Sequence, residues 1–363
     1  SGTVRTGLAG TFTVGGVSPD YTTISGAIAD LVFSGACDTV VFNIRNGTYT
    51  EELDIPYVTI ATGAVVIFKS ETNNPANVII TRNYTTGSTN RMIEITNASH
   101  LRFNDLTLKV TGTVCSSVVY MNSYCADIQF TGCNILGSTC NSTSTSGAVI
   151  ALVNGQMDDI HFESNVIRKG SYGLYVSPGF SSFANDLVLE ENSIDSAYRY
   201  GAFLNRIQGM HVIGNTIFSP TTSSNGIETN TTYGPTRIER NSIYMPQGTY
   251  GLRVYRYNYL APSAPDTTFV LNNMINLAGT VSGSRSFSVE QSNKVNVWHN
   301  TFHTTSANTS SYSVYSTGNT LTDLRNSIIT NFGTGRAAWM NTITSDHNVF
   351  FNLTPPLIGN VTD

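Results

Sequence analysis

Charge is scarce in this chain. Only 12% of its 363 residues are Asp, Glu, Lys or Arg, where an ordinary soluble domain carries roughly a quarter. The net charge is −5 and no basic run occurs. The electrostatic footprint of a nucleic-acid-binding protein is therefore missing. No apolar stretch reaches the roughly 20 residues of a transmembrane helix. No secretory leader is recognisable, and the chain opens at Ser1 as though already processed. Helix-period apolar stripes are rare, which argues against leucine-rich and helical repeats. The five cysteines show no zinc spacing, and no calcium motif is present, so no cofactor or metal is expected.

What fills the chain instead is a repeat. Asn, one free residue, then Ile, Leu or Phe begins at Asn104, Asn134, Asn165, Asn192, Asn215, Asn241, Asn273, Asn300, Asn326 and Asn348, at intervals of 22 to 32 residues. Three residues before the Asn stand Phe162, Leu189, Val212, Ile238, Val270 and Val297, and five before stand Ile160, Leu187, Met210 and Val295. That alternation marks a strand with one buried face. Asn is the commonest non-glycine residue at positive φ. The triplet therefore predicts a strand, a corner at the Asn, and a second strand that starts with an inward Ile or Phe. Stacked corner amides are expected to bond to one another, as in other cross-β ladders.

A further short strand precedes each pair, often after an aromatic or polar residue and Gly. Examples are "GLYVS" at 173, "GAFLN" at 201, "GIETN" at 226 and "GLRVY" at 251. Three short strands per unit predict an all-β fold: a single-stranded parallel β-helix of eleven or twelve coils, with loops of unequal length leaving a constant core. Residues 1–80 read as an N-terminal cap with the first coils, and 81–363 as the continuous helix. Within the cap, "YTTISGAIADLVFSG" places Ile24, Ala27, Ile28, Leu31 and Val32 on one helical face, stopped by Gly35. An amphipathic helix there would cover the open first coil. The closing "LTPPLIGNVTD" shows no such cap. The expectation is either a chain cut from a longer one or an end that self-associates.

Cys115, Cys125, Cys133 and Cys140 fall within 26 positions. They predict disulfides, two bridges with Cys37 left over, with buried free thiols as the alternative. Disulfides would place the protein in an oxidising compartment, extracellular or at a cell surface.

"YTTISGAIADL…TVVFNIRNGTYTEELDI" resembles the opening of right-handed parallel β-helix proteins of the pectin lyase-like superfamily. It is most similar to secreted bacterial surface proteins exported with a removable C-terminal sorting domain. The element Gly47, Thr48, Tyr49 and Glu51 is also similar to the start of pectin methylesterases. The catalytic sets of that superfamily are not found. The paired Asp, Gln and Arg of methylesterases have no counterpart. The adjacent acids Asp158 and Asp159 lack the companion motifs of polygalacturonases, and the calcium-binding acids and Arg motif of pectate lyases are missing.

The resemblance implies that ligands lie along the first strand of each coil. Alternation then turns Tyr175, Phe203, Glu228, Arg253, Ser288 and Ser313 outward in one column. A second column holds Asn205, Asn230, Tyr255, Glu290 and Tyr315. With coils about 4.8 Å apart, Glu228 and Arg253 should pair, with Tyr255 beside them. Aromatics that stack on sugar rings, next to Asn, Glu and Arg that bond hydroxyls, make Tyr175, Phe203, Asn205, Glu228, Asn230, Arg253, Tyr255 and Glu290 candidates for a glycan-binding face. A solvated ion pair is the plain alternative. For catalysis the candidates are Arg253, to neutralise a uronate carboxylate, Tyr255 as acid or base, and Glu228. The functional expectation is an extracellular structural or adhesive surface protein, within a larger assembly or filament, bearing a face for a polysaccharide or cell-surface glycan. The alternatives are a polysaccharide lyase or hydrolase acting on an acidic polysaccharide, and a phage-type receptor-binding spike, which would trimerise.

Overall fold

The structure, a computed structural model, describes residues 7–363 except 88–89, 223, 260–264, 280, 319–321, 342, 354–357 and 360–363. The expectations about the C-terminal end fall largely outside the described residues. About twelve turns of chain build three parallel sheets of 13, 12 and 12 strands. In each coil the chain runs through sheet C, then A, then B. One coil reads Tyr172–Ser177 in C, Ala184–Glu190 in A and Ser193–Asp195 in B. Every strand pairs in parallel with its counterpart one coil away. Each coil thus satisfies its backbone on its neighbours, and burial follows the same stacking.

The core is made of columns. Phe42, Phe68, Phe103, Phe130 and Phe162 stack face to face down sheet A, with ring centroids 4.5–5.4 Å apart. The column continues through Leu189, Val212, Ile238, Val270 and Val297, all buried. Sheet C explains the recurrent Gly before its strands. A Cβ on Gly173, Gly201, Gly226 or Gly251 would sit 2.3–2.7 Å from the Cγ2 of Ile194, Ile217, Ile243 or Ile275 in sheet B. The glycines make room for the isoleucines opposite. Ser286 and Ser313 follow in the same column, buried.

The asparagine ladder differs from the expected one in two ways. First, the left-handed corner belongs to the residue before the Asn: Ser164, Glu191, Gly214, Arg240, Asn272, His299 and His347 all have φ between 52° and 68°. Only Asn326, of the ten triplet asparagines, is itself at positive φ. Second, three triplets are out of register. Leu106, Cys133 and Ser327 hold the ladder position in their coils, which displaces Asn104, Asn134 and Asn326 by one or two residues. The inward residues there are Leu108, Ile135 and Ile329, while Leu136 and Ile328 face outward.

Asn165, Asn192, Asn215, Asn241, Asn273 and Asn300 form an unbroken ladder. Each Oδ1 from Asn192 onward accepts both the backbone N–H and the Nδ2 of the preceding Asn, at 2.9–3.0 Å. Each Nδ2 also donates to a backbone carbonyl one coil back, as Asn215 does to Leu189 O at 2.9 Å. Asn348 rejoins the line beyond Ser327. The buried corner is held by these amides, and they offset the cost of the left-handed residue before them.

At the N-terminal end, Ile24–Ser34 is the helix expected, with Ile24, Ala27, Ile28 and Leu31 buried. Val32, expected on that face, is 37% exposed. Thr23 caps the helix, and the Glu51 carboxylate accepts from the N–H groups of Ile24 and Ser25 at 3.2 and 2.8 Å. A negative charge at a helix N-terminus is stabilising. Tyr49 donates its hydroxyl to Arg45 O and Val14 O. Tyr49 and Glu51 of the methylesterase-like element therefore fasten the cap.

The cysteines make one bridge, Cys115–Cys140, with Cα atoms 5.2 Å apart. This corrects the expectation of two. Cys125 and Cys133 are buried inside the coils as free thiols, because both stand on inward positions of their strands and corners, and Cys37 is exposed and free. Burial pushes the Cys133 thiol up to about 12.

Two outcomes follow. Asn215→Ala strands two buried N–H donors of Asn192 and the carbonyl of Leu189, so it should cost about 3 kcal/mol. The same change at the half-buried Asn348 should cost clearly less, as urea denaturation would measure. Native protein treated with a maleimide should label at Cys37 alone, and unfolded, unreduced protein at Cys37, Cys125 and Cys133; mass spectrometry of the adducts reads both.

Candidate functional site

The outward face of sheet C carries three columns of side chains. The middle one runs Tyr120, Ala151, Tyr175, Phe203, Glu228, Arg253, Ser288, Tyr315 and Trp339. The column after it brings Asn205, Asn230, Tyr255 and Glu290 into line, followed by Thr317. Ser313 and Tyr315 therefore differ from expectation. Ser313 fills the glycine position inside the core, and Tyr315 stands on the middle column. In Tyr172–Ser177 and its counterparts as far as Tyr312–Thr317 the first residue faces outward and the next two face inward, so strict alternation slips there.

Sequence reasoning missed the third column, Tyr172, Tyr200, Asn225, Tyr250, Arg285 and Tyr312. Its signal was present in the aromatic or polar residue before each small one. Register does the rest. Tyr172 stacks on Tyr200 at 5.2 Å, and Tyr175 on Phe203 at 5.5 Å, with edge contacts between the pairs at 5.1 and 5.3 Å. The result is a wall of four rings. On its N-terminal side it opens into a cleft of about 440 Å³ lined by Arg91, Tyr120, Asn154, Tyr175, Ser177 and Phe180. Phe180 stands almost fully free in a turn, 98% exposed. The Arg91 guanidinium covers the Tyr120 ring at 3.5 Å and pairs with Glu94.

On the C-terminal side lies an ion cluster. Arg253 donates through Nε and Nη2 to both oxygens of Glu290, each at 3.1 Å, and its Nη1 stands 3.5 Å from Glu228 Oε1. Glu290 also accepts from Arg285 at 2.8 Å and Ser288 at 2.6 Å. Tyrosine rings cover the two cations. Arg253 lies 4.9 and 4.5 Å from the Tyr250 and Tyr255 centroids, and Arg285 lies 5.4 and 3.5 Å from Tyr250 and Tyr315. Glu228 is buried, and Asn225 Nδ2 reaches its other oxygen at 3.3 Å.

The two carboxyls are driven apart. Burial pushes Glu228 up, against the pull of Arg253. Burial acts on Glu290 too, but hydrogen bonds from Arg253 and Ser288, with the charges of Arg253 and Arg285, hold it below the usual carboxylate range. Burial, and then the charge of Glu228, pushes Tyr200 up to about 12.

Elsewhere, Asp158 and Asp159 lie with Asp186 on the outward face of sheet A, far from this cluster in register. Asp158 accepts from Gln156 and Asn185, and Asp159 pairs with His161. Among the described residues no group of His, Cys, Asp and Glu is arranged to hold a metal ion. No described helix is long and apolar enough to cross a membrane.

No family model matches the chain, and no curated protein matches it in sequence. Among solved structures it is similar to the GH136 lacto-N-biosidase of Eubacterium ramulus, with TM-score 0.55 and 9% identity over 95% of this chain and 68% of that one. It is also similar to the catalytic unit of the GH87 α-1,3-glucanase of Streptomyces thermodiastaticus, with TM-score 0.51 and 13% identity over 98% and 71%. The A-module of a mannuronan C-5 epimerase from Azotobacter vinelandii aligns over 93% and 94% at 11% identity, with TM-score 0.46. The fold is a right-handed parallel β-helix. At these identities the likeness concerns the β-helix itself, and the side chains on sheet C must be read on their own terms.

Read so, the ion cluster has an uneven design. Glu228 has a folded pKa above its ordinary 4.5. Its contribution to stability is present below 4.5 and is lost as pH rises through the folded value. Glu290, held below 4.5, contributes above that pH and loses its contribution as pH falls through its folded pKa. Glu228→Gln should therefore raise the melting temperature at pH 7 and remove the Glu228 part of the decline above pH 4.5. Glu290→Gln leaves Arg253 and Arg285 short of their counter-charge and should cost about 3 kcal/mol or more. Thermal melts of both variants in half-unit pH steps check the pair.

Proposed function

We propose that this β-helix is an extracellular glycan-binding protein that holds a polysaccharide or cell-surface glycan along sheet C. The carrying observation is the wall of Tyr172, Tyr175, Tyr200 and Phe203, which leads into the cleft under Phe180. Within each stacked pair the rings cover one another's faces and Tyr172 is buried, so the ring face offered to a sugar is that of Tyr175 beside Ala151, where it lines the cleft. Asn205 and Asn230 stand beside them in register, with amides suited to hydroxyls. The cleft volume lies in the range of ligand sites. The names of two of the similar β-helices, a lacto-N-biosidase and an α-1,3-glucanase, support the same reading. The Cys115–Cys140 bridge supports an oxidising, extracellular setting. An adhesive role is the simplest use of such a face.

A catalytic reading is favoured by one observation, the separation of Glu228 from Glu290 in acidity. A carboxyl with its pKa raised beside one with its pKa lowered is the arrangement acid–base pairs use. In that reading Glu228 protonates the leaving glycosidic oxygen. The lyase role considered for Arg253 is less well supported, because its edges are occupied by Glu290 and Glu228.

A glycan array probed with the full chain tests the proposal. Binding to at least one glycan is expected, weakened tenfold or more by Tyr175→Ala or Phe203→Ala, with the melting temperature within a few degrees of the parent. Absence of binding across the array would overturn it. Release of reducing ends from a bound glycan, abolished in Glu228→Gln with binding retained, would establish the catalytic reading.

A further inference from the structure

We propose that the C-terminal half of sheet B is the surface on which two copies of this chain pair. The inference goes beyond glycan binding and does not depend on it. Six successive strands of sheet B, from Thr216–Phe218 to Val349–Asn352, contain no Asp, Glu, Lys or Arg. Earlier strands of the same sheet do, in Arg82, Lys109, Arg168 and Asp195. Parallel register brings the outward residues into two columns. One holds Met274, Ile328 and Val349, and the other holds Tyr244, His303 and Phe351. Phe332 and Leu353 extend the face at its rim, where both stand exposed. Among the described residues, seven of the fourteen exposed large apolar side chains belong to this one face. A monomeric protein rarely leaves so contiguous an apolar area in water. The rings are already braced. Tyr244 stacks on Phe218 at 5.7 Å, and Phe332 contacts His303 and Phe351 at 5.1 Å each. Little side-chain freedom is therefore lost when the face is covered.

Charge selects a second copy as the occupant. The chain carries −5. Sheets A and C turn carboxylates outward, among them Glu163 and Glu190 on A and Glu94 on C. Two copies packed on those faces would bring like charges together. The uncharged half of sheet B lets two copies approach without that repulsion, and it offers a charged partner nothing to pair with. His303 bonds Thr330 Oγ1 at 2.7 Å, and burial lowers its pKa, so it adds no charge at neutral pH. One such face on each chain meets its own copy about a two-fold axis, which closes at a dimer. Six strands about 4.8 Å apart, with a width of about five residues, give on the order of 500 Å² a copy and about 1,000 Å² in all. That is the lower bound for a specific interface, so the dimer is expected to form reversibly at micromolar concentration.

Sedimentation velocity of the full chain from about 1 to about 200 μM tests this. The expected mass rises from 39.2 kDa toward twice that value. Association should be no weaker at about 500 mM NaCl than at about 50 mM, because no charge pair holds it. The double variant Met274→Glu, Ile328→Glu changes two exposed positions and places like charges across the two-fold. It should weaken association about tenfold or more, with the melting temperature within a few degrees of the parent. Tyr57→Glu, exposed near the N-terminal end, should leave association unchanged. Cross-linking gives a second reading that needs no added charge. In a Cys37→Ser background, Thr301→Cys puts a thiol in the middle of the face, while Cys125 and Cys133 stay buried. A short bismaleimide should join two copies of that variant and should not join two copies of Tyr57→Cys in the same background. A 39.2 kDa species at every concentration, a trimer, or a dimer that the two glutamates leave intact and that position 301 does not cross-link would overturn the proposal.

Discussion

The amide-to-amide hydrogen bond at the corner between sheets A and B is the interaction on which the rest depends. A coil of this size cannot bury its apolar face alone. It must lie on a neighbour in fixed register, and one slipped residue would turn every side chain to the wrong side. In Asn165 to Asn300 each Oδ1 that receives the preceding coil takes two N–H groups from it, so the ladder sets that register at the bend between sheets A and B. The residue before each Asn can then adopt the left-handed conformation, whether it is Ser164, Glu191 or Arg240. Where Leu106 and Cys133 replace the Asn, the face-to-face phenylalanines of sheet A run alongside. Apolar stacking and amide stacking share the task along the length of the molecule.

Register also makes the surface. Because Gly173, Gly201, Gly226 and Gly251 give way to the sheet B isoleucines, the second and third residues of their sheet C strands both face inward. The outward residues before and after them then fall into straight columns. A packing demand in the core therefore places the tyrosines of one column beside the mixed aromatic and charged residues of the next. The ring wall and the Arg253 cluster are consequences of the same constraint, separated by one coil step.

The cluster shows why contact lists and chemical roles must be kept apart. Glu228 and Arg253 are neighbours, as their spacing in sequence suggests, yet the tighter bond is from Arg253 to Glu290. Bidentate geometry and the added donors Ser288 and Arg285 decide that preference. The arginine that looked available to a substrate is instead the centre of a buried network. Its aromatic covers hold it in place and take away its faces.

The sequence by itself determined the coil count, the inward columns of sheet A, the capping helix and the order of the outward side chains from Tyr175 to Glu290, because a period-two pattern repeated at a fixed corner is a property of composition along one line. It did not determine the ladder's true members. Asn134 and Asn326 carry the triplet as well as Asn192 does, and only pairing with the neighbouring coil shows that Cys133 and Ser327 stand at the corner in their place. Nor did it reveal which cysteines join. Cys115 and Cys140 meet across loops, while Cys125 and Cys133 are held apart on inward positions. The stacked rings, the cleft beneath Phe180 and the engagement of Arg253 were settled by tertiary structure alone. The ring stacks and the Arg253 contacts join residues 25 to 37 positions apart and the cleft joins residues as distant as Arg91 and Phe180, and unequal loops between coils hide those distances from any linear spacing.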